Sequence, residues 1–123
     1  MTQEAALETI VRALDSKRAK DVRVLHVSNL TILGDYFVLA SGTSTTHTRT
    51  LADEVEYKLS QQGREPDHRE GRGNGTNWVV LDYGDIVVHV FYTEARSFYD
   101  LDHLWADAEQ VDITPWLTPE HMQ

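Results

Sequence analysis

The sequence predicts a mixed α/β (α+β) domain, a mixed β-sheet with flanking helices in the order α-β-β-α-β-β-β-α. Three observations carry that expectation. Apolar residues recur at helical spacing near the start and in the middle of the chain. Val-rich runs of strand length lie between them. The stretch "NWVVLDYGDIVVHVFY", Asn77 to Tyr92, alternates on both sides of Gly84-Asp85, which marks a tight β-hairpin.

The elements follow in order. Leu7, Ile10, Val11 and Leu14 form one stripe of a helix from Gln3 to Lys17, with Thr2 as its N-cap. "DVRVLHVS", Asp21 to Ser28, alternates and reads as a strand. "DYFVLASG", Asp35 to Gly42, is almost continuously apolar, as expected of a central strand covered on both faces. "TSTTHTRT" offers several capping hydroxyls for a second helix, which runs to Gln62 and stops at Gly63. Leu51, Val55 and Leu59 make its buried stripe, while Asp53, Glu54 and Glu56 form a solvated face. "REPDHREGRGNGTN" begins as a short edge strand, with Pro66 where an edge tolerates it, and ends as a loop. After the hairpin, Thr93 can cap a last helix from Glu94 to Trp105. The remainder carries two prolines and no periodicity. It is expected to be an extended tail, 109–123, pinned by Trp116 and Leu117, on a single domain covering 1–108.

Composition narrows the function. The 123 residues, 41% hydrophobic, suit one domain with a real core. There is no cysteine, which removes disulfides, thiol nucleophiles and Cys-based zinc sites. No stretch approaches the ~20 apolar residues of a membrane span, and "MTQEAALETIVRAL" carries acids where a signal peptide would not, so a cytoplasmic protein is expected. The net charge is -9 and sits late in the chain. Residues 1–81 hold 11 acidic and 10 basic residues, whereas 82–123 hold 9 acidic residues and a single base, Arg96. Such a surface is either a solubilising one or a docking face for a basic partner. Direct binding to DNA is disfavoured, because phosphate backbones are held by Lys and Arg.

The hairpin poses the functional question. A two-residue turn sets Tyr83 opposite Ile86, Leu81 opposite Val88 and Val79 opposite Val90, an all-apolar core face. The other face pairs Asp82 with Val87, Val80 with His89 and Trp78 with Phe91. Three readings of it are open. It lies under a helix, it is an exposed binding face with Trp78 and Phe91 as aromatic anchors, or it is an active site using Asp82 and His89 as base and acid.

Other motifs are weak. "GRGNG" lacks the third glycine of a dinucleotide fingerprint and is followed by a strand. "SGTS" is an ordinary capped helix start, although such a start can also hold an anion. Six histidines show no metal-ligand spacing, so neither metal nor cofactor is expected.

Four stretches taken together are more specific. "DYFVLASG", "ADEVE", "LDYGDIVVHVF" and "FYDLDHLW", in this order and within segments covering nearly half the chain, closely resemble the ribosomal silencing factor family, also called Iojap-like proteins. The resemblance implies a nucleotidyltransferase-like fold used without catalysis. It implies binding to the large ribosomal subunit through its ribosomal protein number fourteen, a basic protein on the subunit interface. It further implies obstruction of small-subunit joining, repression of translation when nutrients are scarce, and a homodimer as a plausible state. On that basis Trp78, Asp82, His89 and Phe91, with Glu70 at the rim, are the expected partner-binding residues. Tyr83, Tyr99 and Trp105 are further candidates, with structural packing as the competing role for each. The rival is a small nucleotidyltransferase-like or nucleotide-binding enzyme built on Asp82, Asp85 and His89. Against it, the strand-helix junction "ASGTSTTHTRT" lacks the paired aspartates that hold metal in such enzymes.

Overall fold

The structure is a computed structural model that describes residues 2–71, 77–94, 96, 103 and 105–119. Helix α1 (Gln3–Ser16) is followed by β1 (Lys20–His26), β2 (Tyr36–Gly42), α2 (Thr45–Gln61), β3 (His68–Glu70), β4 (Trp78–Asp82), β5 (Ile86–Tyr92) and β6 (Glu109–Gln110). The strands form one six-stranded sheet in the order β3-β4-β5-β2-β1-β6. Among the described residues, β2 and β5 pair in parallel and the other four ladders are antiparallel. The sheet is therefore mixed, as the sequence predicts.

Local chemistry sets the boundaries. The Thr2 hydroxyl accepts from the Ala5 amide and starts α1, and the Ser44 hydroxyl accepts from His47 to start α2. Gly42 joins β2 to α2 at close quarters: a Cβ there would lie 2.7 Å from the Thr48 amide nitrogen. Strand β1 stops at His26 rather than Ser28 because the Val27 carbonyl turns into the β1–β2 loop, accepting from the Leu30 and Thr31 amides at 2.9 and 3.1 Å.

Both long helices cover one face of the sheet. Ile10, Val11 and Leu14 of α1 and Leu51, Val55 and Leu59 of α2 pack on Val38, Val79, Leu81, Val88 and Val90. Strands β2 and β5 are buried at nearly every position, so the sheet has apolar cover on its second face too. Leu25, Val27, Phe37, Leu39, Val87 and Phe91 form that second cluster, with Trp78, Val80, Trp105 and Ala108 packed against it.

The segment after β5 departs from expectation in detail. Thr93 is itself helical, as are Glu94, Arg96 and His103, and its hydroxyl donates to the Gly42 carbonyl, 2.7 Å, rather than capping the helix. Phe98, Tyr99, Leu101 and Leu104 lie outside the described residues. The stretch from Glu109 is drawn into the fold. Strand β6 pairs with β1, the Val111 amide donates to the Val24 carbonyl at 2.8 Å, and Thr114–Trp116 form a 3-10 turn. Trp116 and Leu117 pack against the helix-side core, as anticipated. The Thr118 amide and hydroxyl donate to the buried Asp15 carboxylate at 2.9 and 2.7 Å. Asp15→Ala should thus cost about 2 kcal/mol, since two hydrogen bonds to a charged acceptor go and two donors lose their partner. Urea unfolding of the variant measures it, and a loss within ~0.5 kcal/mol of zero, the scatter of ordinary surface changes, would mean that the Asp15–Thr118 contact adds nothing to stability.

Candidate partner-binding face

The hairpin has the register predicted from its sequence. Trp78, Val79, Val80, Leu81 and Asp82 pair with Phe91, Val90, His89, Val88 and Val87. Gly84 takes φ +87°, its amide donates to Asp82 Oδ1 at 2.8 Å, and the Tyr83 amide donates to the Ile86 carbonyl at 2.9 Å. The left-handed φ is why a glycine stands at that turn position.

On the face away from α1 and α2, Trp78, Phe91 and His89 stack. The Trp78 and Phe91 rings are 5.3 Å apart, and His89 lies 6.3 Å from Phe91 and nearly parallel to it. Phe37 meets His89 edge-on at 5.1 Å and Trp105 at 5.3 Å. This arrangement corrects the reading of Phe91 and His89 as exposed anchors, because Phe91 is 0% and His89 7% exposed. The physical reason is that side chains from other elements cover this face of β5: Trp78 stacks on Phe91, Phe37 meets His89, and Trp105 packs against Phe37. Trp78 and Asp82, on β4, remain partly exposed. Glu70 is exposed on edge strand β3, opposite Val80 and so on the same face. Trp105 is half-buried against Phe37, and Tyr99 lies outside the described residues.

His89 does not form a catalytic pair with Asp82. The Trp78 indole N–H donates to its Nδ1 at 3.2 Å, so the neutral ring carries its proton on Nε2, which is buried and meets no partner among the described residues. Burial pushes the His89 pKa down from 6.5 to about 4, with Asp82 pulling weakly the other way. A histidine held neutral and closed to solvent is a poor proton shuttle. Asp85 is also turned elsewhere, accepting from Gln3 Nε2 at 3.2 Å and paired with Arg64. Asp82 and Asp85 therefore do not converge, and among the described residues no cluster of three possible ligands could hold a metal ion.

Tyr83 is buried on the helix side, as the hairpin geometry required, which corrects its candidacy as a surface contact. Its hydroxyl meets no partner among the described residues, and its pKa is raised, first by burial and then by Glu56. Sequence reasoning missed Arg96. The lone base of the acidic last third is buried, donating through Nη1 to Ser41 Oγ at 2.8 Å and to the Asp21 carbonyl at 2.7 Å. It fastens the helical segment after β5 across β2 and β1. Its isolation among acids was the available signal.

Comparison with known proteins agrees with this architecture. The family model described as "Ribosomal silencing factor during starvation" matches residues 1–123. The ribosomal silencing factor RsfS of Bacillus subtilis is 34% identical over 113 residues, covering 92% of this chain and 95% of that protein. A mouse protein named for mitochondrial assembly of the ribosomal large subunit is 30% identical over 101 residues, covering 80% of this chain and 44% of its own. A crystal structure from Chromobacterium violaceum superposes with a TM-score of 0.82 at 34% identity, covering 86% of this chain and 88% of that one.

Proposed function

The chain belongs to the ribosomal silencing factor family, and from that premise we propose that it binds the large ribosomal subunit through ribosomal protein number fourteen and blocks docking of the small subunit. It acts by occupying a surface, not by catalysis. It works in the cytoplasm, represses translation, and can self-associate as a homodimer.

The observation that supports this reading best is the make-up of the open part of the hairpin face. Trp78 is half-buried at its rim, Asp82 lies beside the turn, and Glu70 stands on the neighbouring edge strand. An aromatic group sharing a face with acids suits a basic protein surface, where charge gives orientation and on-rate and the aromatic ring gives affinity. His89 and Phe91 hold the Trp78 ring from below, and Trp105 packs against Phe37 at the far side of the cluster. The relative named for large-subunit assembly supports the choice of subunit. The nucleotidyltransferase-like alternative is weaker, because Asp82, Asp85 and His89 each serve a different local structure.

Co-sedimentation tests the proposal. The protein is expected to travel with purified large subunits and to stay at the top of the gradient with small subunits alone. Equal association with both, or with neither, would overturn it.

A further inference from the structure

The loop from 27 to 35, between β1 and β2, is shaped and apolar at once. Ile32 is fully exposed, Leu33 is 65% exposed and Leu30 47% exposed. Large apolar side chains grouped in this way on a small protein mark a contact surface. The loop is not a loose excursion. The Leu30 and Thr31 amides donate to the Val27 carbonyl at 2.9 and 3.1 Å, and the Leu33 amide donates to Thr31 Oγ1 at 3.1 Å. Its far end is tied to the hairpin turn, the Asp35 and Tyr36 amides donating to the Asp85 carbonyl at 2.7 and 3.1 Å. The backbone that carries these side chains is thereby held in one shape, and little backbone ordering entropy remains to be lost on binding.

The surroundings decide what could cover it. The same end of the sheet carries Asp35, Asp82 and Asp85, and Asp67, whose amide donates to the Asp82 carbonyl at 2.8 Å. Arg64 pairs with Asp85, leaving an acidic excess around the apolar loop. A second copy of this chain, itself at net charge -9, would set these carboxylates against their own counterparts across a two-fold contact. An anionic lipid surface would be repelled in the same way. A basic protein with an apolar socket fits both features. The loop also adjoins the Asp82 end of the partner-binding face, since the amide of its last residue, Asp35, donates to the Asp85 carbonyl in the hairpin turn.

We infer that the 27–35 loop is a second anchor, which seats Ile32 and Leu33 in an apolar socket of the same basic ribosomal protein that meets the hairpin face. This rests on the ribosomal reading given above. The hairpin face and the loop then contact the partner together, the loop beside the Asp82 end of β4 and Trp78 at that strand's other end.

The test is the double variant Ile32→Ser/Leu33→Ser in the full chain, measured for its affinity for purified large subunits alongside the unchanged protein. Both side chains are exposed, so the melting temperature should stay put, while the dissociation constant should rise by about 30-fold, the scale of losing a binding hot spot. Binding as tight as that of the unchanged protein would overturn the second anchor and leave the ribosomal reading standing. Absence of large-subunit binding by the unchanged protein would overturn both. A shift from dimer to monomer in sedimentation velocity, with subunit binding unaltered, would make the loop a self-association surface and also overturn the inference.

Discussion

Replacing Phe91 by alanine is expected to cost about 4 kcal/mol of folding stability, in the range for a large aromatic side chain lost from a packed core. Phe91 is fully buried, stacked on Trp78 and His89, and surrounded by Leu39, Val87 and Phe37. Domains are commonly stable by only about 5–15 kcal/mol, so the variant should unfold at much lower urea and bind ribosomes poorly as a consequence. Equilibrium unfolding separates this from the competing idea of an exposed anchor. A Phe91→Ala protein with unchanged stability and lost subunit binding would mean that the second face of the sheet opens to solvent.

His89 makes the largest expected contribution to pH dependence. Its pKa is about 4 in the folded protein and 6.5 when unfolded. Because the unfolded chain takes up the proton first, lowering the pH favours unfolding. The stability that comes from keeping His89 neutral is intact above pH 6.5, is lost progressively between 6.5 and 4, and then levels off. A gap of this size corresponds to about 3 kcal/mol. Carboxylates titrate in part of the same window, so the quantity to measure is the difference between the unchanged protein and His89→Gln, which does not titrate and can still accept from the Trp78 indole. The two stability curves should converge by about 3 kcal/mol on going from pH 7 to pH 4. Parallel curves would show that His89 is hydrated or protonated in the folded state.

Much of the architecture was legible because it is local. The hairpin announced its turn through Gly84-Asp85, and a two-residue turn fixes every pair from Tyr83–Ile86 outward. The caps at Thr2 and the apolar run of β2 were equally direct. Alternation showed which hairpin residues share a face but not what covers it. Cover for Phe91 and His89 comes from elements distant in sequence, Phe37 on β2 and Trp105 after the last helical segment. Strand β6 was invisible for a related reason: two exposed residues, Glu109 and Gln110, carry no periodic signal, and their place beside β1 is set by tertiary pairing. Arg96 could be counted as a charge, but its burial depends on Ser41 and the Asp21 carbonyl, both far away in the chain. The residues alone offered Trp78 as a candidate interface anchor, but the partner proposed for Trp78, Asp82 and Glu70 rests on family resemblance, since an acidic aromatic face is common to many kinds of protein. The exposed loop at Leu30, Ile32 and Leu33 drew no attention in the sequence, where apolar residues in a connection are ordinary.

Sucrose-gradient sedimentation of both ribosomal subunits, at a Mg²⁺ concentration that allows them to join, addresses the central claim most directly. With this protein in modest excess, free subunits should persist and the protein should migrate with the large one. Complete formation of joined ribosomes, with the protein left at the top of the gradient or carried along on the joined particle, would contradict the account.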